Sequence, residues 1–418
     1  MYSSKIAGKI RSQIRNFSGE VSTGLCKTAR RFVAEGIYGI QARQTVMLSE
    51  IGRSLNEAIA LKKTETRLSN QLGRPGLEAT MVQNLQALAA RRIEDDTLLI
   101  VDISDITKRY ARNMEYLTEV RDGSTGEIGP GYWTVQVIGA ELDEVHMTPL
   151  AHHLYSQRAP DFVSENEEVL EVIREVSQAT EGRGVYVLDR GGDRRKLYDP
   201  LLERSLRFII RMTGERHVIY RGQAVLSREL GARCPMGYAE RMVREKDGKE
   251  KMYHIEYGFR NVRLPGRREE LYLVVVRGFG QEPMLLLTNV RVKKSRRACF
   301  FVLHAYIKRW QVEETIRCMK QSYDLENVRL LTYERLQNMM ALVLCAMYFA
   351  AVHLGDTLRL EILAHHALKA AKRLYGIPDF RYYALADGVK RLLEGFTKPF
   401  LSKTHRWVDS LQMNLFDP

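Results

Sequence analysis

Apolar residues recur at helical intervals through the first 95 residues, with no β-branched alternation. Val46, Ile51, Leu55, Ile59 and Leu61 mark that period within 27–72. At Thr97 the texture changes. Leu98-Leu99-Ile100-Val101 is a fully apolar run of the kind a buried strand needs, and 133–139 reads as a second strand. Residues 143–150 alternate loosely. Within 165–179, Val169, Leu170, Val172, Ile173 and Val176 oppose an acidic face, which predicts an amphipathic helix. Residues 184–188 form a further buried strand, 201–206 a helix and 208–212 a strand. Strands alternating with helices in this way predict an α/β fold with a mixed sheet.

From about 213 to 290 the chain turns β-rich. Strands are expected at 218–220, 252–257, 271–276 and 284–287, separated by Gly, Pro and charged turns. After Arg297 the pattern is helical to the end. The expected organisation is a basic helical region at 1–95 that contacts DNA ends and the first part of an α/β domain at 96–212. A β-rich insertion follows at 213–297, then the last helix of that domain at 298–335 and a helical region at 336–418.

Charge narrows the partners. The chain has 418 residues with 64 Lys plus Arg against 51 Asp plus Glu, a net charge of +13. Up to Arg74 there are 13 basic and five acidic residues, so well over half of the excess sits in the first sixth. Such a balance favours a polyanion, nucleic acid before an acidic membrane surface. The basic residues recur around Ser49-Glu50-Ile51-Gly52-Arg53-Ser54-Leu55, which predicts a short helix entering a DNA groove; a solvated basic face on a bundle fits the same charges. A composition of 45% hydrophobic and 28% charged residues excludes a largely disordered chain.

The longest uncharged apolar run, 339–352, is 14 residues, against about 20 for a bilayer span, so a buried helix and no membrane are expected. The first residues offer no apolar stretch for a signal peptide. Five scattered cysteines without a CxxC pair suit reduced thiols in a cytoplasmic protein, not a disulfide framework or zinc site.

Three carboxylates stand out. Asp102 directly follows the apolar strand that ends in Ile100-Val101, and Asp189 stands in the same relation to Val187-Leu188. In an open α/β sheet, residues just past strand ends line the functional crevice. A lone Asp there also serves to bond loop N–H groups; two brought close repel unless a cation neutralises them. The third lies in 306–320. At about 100° per residue, Tyr306, Arg309, Glu313, Arg317 and Lys320 fall within roughly 80° of one another. An aromatic, a carboxylate and three cations make a poor face for an apolar core and a good one for a phosphate backbone with a metal before it. An exposed face laced with i,i+4 ion pairs fits the same pattern.

The spacing Tyr306, two residues, Arg309, three residues, Glu313, six residues, Lys320 resembles the Y-(2)-R-(3)-E-(6)-K box of bacterial insertion-sequence transposases of the DDE class. Arg309-Trp310, Asn327-Val328-Arg329 and Leu287-Thr288-Asn289 add to the similarity. Asp102 looks like the family's first catalytic Asp, and Asp189-Arg190-Gly191 like its second. Ser104 departs from the pattern, since many relatives carry Thr. The resemblance covers about 98–330 and implies a ribonuclease H-like mixed sheet with helices, interrupted by the β-rich insertion and flanked by helical N- and C-terminal regions.

It further implies that Asp102, Asp189 and Glu313 bind two Mg²⁺ ions, with Mn²⁺ as a substitute, and catalyse cleavage and transfer of DNA strands. Arg309 and Lys320 would clamp phosphates near the scissile bond, with Tyr306 positioning a phosphate or base. Arg190 is expected on DNA beside the second Asp, and Arg317 by helix geometry alone. Trp310 fits either stacking on an unpaired base or a place in the core. The implied partners are double-stranded DNA, as terminal inverted repeats and target, and a second copy pairing two ends. The implied location is the prokaryotic cytoplasm, on the nucleoid. A metal-dependent nuclease and a non-catalytic DNA-binding descendant of a transposase would share most of these features.

Overall fold

The computed structural model describes residues 2–123, 125–143, 147–246, 249–292, 296–367 and 381–401, with 311–322 described as helical backbone only. Its centre is one large mixed sheet in the order β2-β3-β1-β5-β6-β12-β11-β10-β9, with β4 also pairing β3. The strands are β1 (Leu98–Thr107), β2 (Thr118–Arg121), β3 (Ile128–Ala140), β4 (Met147–Tyr155), β5 (Val185–Leu188) and β6 (Arg207–Arg211). After a separate hairpin of β7 (His217–Tyr220) and β8 (Gln223–Leu226) come β9 (Tyr238–Lys246), β10 (Lys249–Val262), β11 (Leu271–Arg277) and β12 (Met284–Thr288).

β4, β3 and β1 run antiparallel in sequence, whereas β5 and β6 are parallel to β1. Parallel neighbours need crossovers, supplied by α6 (Glu165–Ala179) before β5 and α7 (Arg195–Glu203) before β6. Both strands are buried on two faces, which explains their unbroken apolar runs. Gly184 leads into β5 at φ +95°, and a Cβ there would sit 2.6 Å from Leu99, so the turn requires glycine.

The strands of the β-rich stretch extend the central sheet. β12 joins β6 antiparallel, and its end is stapled there by polar side chains. Thr288 Oγ1 donates to the Phe208 carbonyl at 2.5 Å, while Asn289 accepts from Phe208 N–H at 2.9 Å and donates to the Leu206 carbonyl at 2.8 Å.

Side-chain alternation divides the core in two. Leu98, Ile100, Val185, Val187 and Ile209 belong to one cluster with Val302, Leu303, Ala305 and Tyr306 of α9 (Arg296–Ser322). Leu99, Val101, Tyr186, Leu188, Phe208 and Ile210 belong to the other, with α6, α7 and the helical regions.

Those helical regions come from both ends of the chain. The first helices are α1 (Tyr2–Val21), α2 (Lys27–Arg43), α3 (Leu48–Ser54), α4 (Leu61–Leu72) and α5 (Leu77–Ala89). Past the hairpin helix α8 (Ser227–Ala232) and α9 follow α10 (Tyr333–Tyr348), α11 (Asp356–Ala367) and α12 (Arg381–Glu394). Gln41 donates to the Ala346 carbonyl at 2.7 Å, and Asn338 bridges the Leu72 carbonyl and Glu78 N–H at 2.8 Å each. α10 and the following turn to His353 are long and apolar enough to cross a bilayer, yet most of that stretch is buried against α2, α5 and β4. Burial of each large apolar side chain there contributes about 1.5–3 kcal/mol.

The short helix expected to enter a DNA groove is placed otherwise. In α3, Ile51, Gly52 and Ser54 are buried, with Ile51 against Gly39 of α2 and Gly52 against Leu61 and Thr64 of α4. Its exposed Arg53 is paired with Glu50. The outward polar side of this region is instead α4, where Lys62, Lys63, Thr66 and Asn70 are exposed. Among the described residues the cysteines Cys26, Cys234, Cys299 and Cys345 are free thiols.

Candidate active site

β1 and β5 pair in register from Leu98↔Val185 to Ile100↔Val187. Asp102 and Asp189 each come two residues after that last pair, on neighbouring strands that lie about 4.8 Å apart where they pair. β5 and β6 pair up to Leu188↔Ile210, and one step on comes Arg211. Alternation directs all three toward α9, because Ile100, Val187 and Ile209, two residues before each, lie in the α9-side cluster. Asp189 keeps an extended backbone (φ −77°, ψ −166°), so the alternation reaches it, and its carboxylate accepts from Gly191 N–H at 2.7 Å. The turn that follows packs tightly: a Cβ on Gly192 would lie 2.7 Å from Leu188 Cβ.

α9 crosses over these positions. Arg309 Nη1 reaches Asp102 Oδ1 at 3.4 Å, with side-chain exposures of 6% and 20%. A carboxylate this enclosed needs a counter-charge, and Arg309 supplies one. Arg309 and Arg211 both lie over the Tyr306 ring, with guanidinium carbons 5.3 and 5.8 Å from its centroid. Tyr306, expected at a phosphate or base, has 0% exposure and packs edge-on to Trp310 at 5.7 Å. Its ring floors the site and leaves no surface for DNA. Trp310 also meets Phe279 edge-on at 5.5 Å, the packing alternative for that residue.

Glu313 lies in α9 one turn beyond Arg309, and Arg317 and Lys320 follow on the same helix; the side chains of all three lie outside the described residues. Arg190 is exposed next to Asp189.

Two residues of this site escaped the sequence reading. Arg211 ends an apolar strand just as Asp189 follows one, so the same rule pointed to it; Asp102, expected just past a strand, lies instead within β1, which continues to Thr107. Gln136 of β3 is directly opposite Asp102 and 2% exposed, and its Oε1 is buried with no hydrogen-bond partner among the described residues. Nothing in the sequence marked it, since its position depends on the β1–β3 register. An orphaned buried oxygen beside the Asp102 carboxylate fits a hard, oxygen-seeking cation. Among the described residues no group of three or more His, Cys, Asp or Glu side chains is close enough to hold a metal.

Residues 145–349 match the family model described as the transposase DDE domain. The match supports a transposase of the DDE class. Asp189 and Glu313 fall within the matched span, whereas Asp102 precedes it. No curated protein matches the chain. The cryo-EM structure of a piggyBac transposase synaptic complex with hairpin DNA aligns with 94% of this chain and 85% of its own, at 12% identity and a TM-score of 0.42.

Proposed function

We propose that this chain is an insertion-sequence transposase that binds the terminal inverted repeats of its element and cleaves and transfers DNA strands. The observation that carries this reading is the parallel pairing of β1 with β5, which brings Asp102 and Asp189 to neighbouring strands beneath the helix that bears Glu313. The strand order β4-β3-β1-β5-β6, with the first three antiparallel and the last two parallel to β1, supports a ribonuclease H-like catalytic domain.

Asp102, Asp189 and Glu313, with Gln136 beside them, would hold the divalent ions. Mg²⁺ held there would activate a water or the DNA's own 3′-hydroxyl and stabilise the leaving oxygen of the phosphodiester. Arg309 orients Asp102 and balances its charge in the metal-free protein. Arg211 stacks on Tyr306 at the site's edge, where a cation suits a non-bridging phosphate oxygen. Arg190 is exposed beside Asp189 for contact with the DNA backbone, and the sequence spacing along α9 assigns the same role to Arg317 and Lys320. The exposed side of α4, with Lys62, Lys63, Thr66 and Asn70, offers the residue types that contact phosphates and base edges in a groove. The working form is a homodimer on paired ends in the prokaryotic cytoplasm.

The deciding experiment is Mg²⁺-dependent cleavage of a labelled duplex carrying the element's end. Glu313→Gln should abolish cleavage and leave DNA binding nearly intact; cleavage by the purified variant would overturn the assignment. Strand transfer into a plasmid separates a transposase from a nuclease, and tight binding without cleavage under any divalent ion identifies a non-catalytic relative. Affinity should also fall steeply from low to physiological salt as Lys/Arg contacts release counterions.

A further inference from the structure

Between β1 and β2 the chain runs Lys108-Arg109-Tyr110-Ala111-Arg112-Asn113, and Tyr110 is 95% exposed. A tyrosine with almost no protein contact forgoes the burial that ordinarily holds such a ring. The loop nevertheless stands on firm anchors. Lys108 Nζ donates to the Val328 carbonyl at 2.5 Å and also to the Glu326 carbonyl, just past α9. At the other end, Glu115 N–H donates to the Leu331 carbonyl at 2.9 Å, and the Glu115 carboxylate accepts from Tyr333 N–H at 2.8 Å. Tyr132 and Ser156 hydroxyls donate to the Glu115 and Tyr116 carbonyls.

The surroundings are cationic. Arg109 and Arg112 flank Tyr110, both exposed, with Arg109 in a loose 3.4 Å pair with Asp122. Beside the loop is an open groove of about 670 Å³ lined by Arg112, Tyr116, Glu119, Arg158 and Ile128, which is 74% exposed. Glu119 is the opposing charge there. A held aromatic plane between arginines suits a nucleobase, whose face stacks on the ring while its phosphates meet the guanidinium groups. The five residues from Asp102 to the end of β1 span about 17 Å, or five base-pair rises.

We propose that the β1–β2 loop is a second DNA contact, in which Tyr110 stacks on an unpaired base near the reacting phosphodiester and Arg112 and Arg158 hold the adjoining backbone. It rests on the transposase reading above, and the test separates the two. Anisotropy titrations would compare a fluorescein-labelled blunt duplex with the same duplex bearing a short oligo-dT overhang. The wild type should prefer the overhang about ten-fold, Tyr110→Ala should lose that preference while keeping its affinity for the blunt duplex, and Tyr110→Phe should retain it. Arg112→Ala should weaken both probes and lower the salt slope by about one.

Blunt and overhang probes bound equally by the wild type would overturn the stacking contact and leave DNA binding intact. A preference that survives in Tyr110→Ala would also overturn it. Should Tyr110→Ala alter sedimentation of the protein alone and not the preference, the ring belongs to a protein interface and the proposal falls. Failure of the wild type to bind either probe would remove the transposase reading itself.

Discussion

The two faces of the central sheet are built from alternate residues of the same strands, yet they end differently. On the side of α6 and α7, Leu99 and Val101, Tyr186 and Leu188, and Phe208 and Ile210 all belong to the apolar core. Facing α9, Ile100 gives way to Asp102, Val187 to Asp189 and Ile209 to Arg211. One face spends these positions on packing, and the other carries charge at the next residue, where a crossing helix can answer it. The charged groups are thereby placed within one residue of the core without sharing its side chains.

Opposite substitutions should therefore fail in opposite ways, and this is the largest effect expected. Asp189→Asn on the α9 side should lower metal-dependent cleavage on the order of 10³-fold with almost no change in melting temperature, since its carboxylate is exposed. Phe208→Ala on the far side should cost about 3–5 kcal/mol of stability, while the fraction still folded cleaves normally. Unfolding of Asp189→Asn, or a stable but inactive Phe208→Ala, would break the division between the faces.

The Arg309–Asp102 pair sharpens it. Arg309→Met removes the counter-charge of an enclosed carboxylate and should cost about 3 kcal/mol. Adding Asp102→Asn to that variant should recover part of the loss, with a coupling of about 1–3 kcal/mol in the double-mutant cycle. Mg²⁺ should raise the melting temperature of Arg309→Met more than that of the wild type, because a bound cation takes over the missing charge. Equal shifts would mean that Asp102 does not face the cation.

Much of this was legible in the sequence. The apolar runs at 98–101 and 185–188 located the strands and pointed to the two carboxylates, although β1 continues past Asp102 to Thr107, where the sequence reading ended it at Val101. The helix carrying Arg309 and Glu313 was legible from its spacing, and residues 145–349 match the transposase DDE domain. What the spacing could not separate was inward from outward on that helix. Tyr306 and Arg309 share a stripe, and both turned inward, one as the buried floor and one as the partner of Asp102. The placement of Asp102 and Asp189 on neighbouring strands, and of Gln136 opposite Asp102, depends on pairing between distant strands. The union of both chain ends into one helical assembly likewise rests on contacts such as Gln41 to Ala346, which lie 305 residues apart.

The smallest effect concerns pH and also distinguishes the faces. On the α6 side, His153 Nε2 of β4 meets Glu168 of α6 at 2.9 Å, with Glu78 and Glu175 nearby. Burial opposes charging this imidazole, but the Glu168 hydrogen bond and the surrounding carboxylates outweigh it and raise the His153 pKa above its ordinary 6.5. A histidine raised in the folded state contributes stability that is complete below pH 6.5 and is lost as pH climbs through the higher folded value. Glu78 and Glu175, both raised chiefly by burial, act in the same direction at lower pH. The melting temperature should therefore decline as pH rises above 6.5, and His153→Gln should flatten that decline. Arginine keeps its charge throughout this window, so Arg309→Met should shift the whole curve downward without changing its slope. A slope that follows Arg309 instead of His153 would place the titrating group on the α9 face.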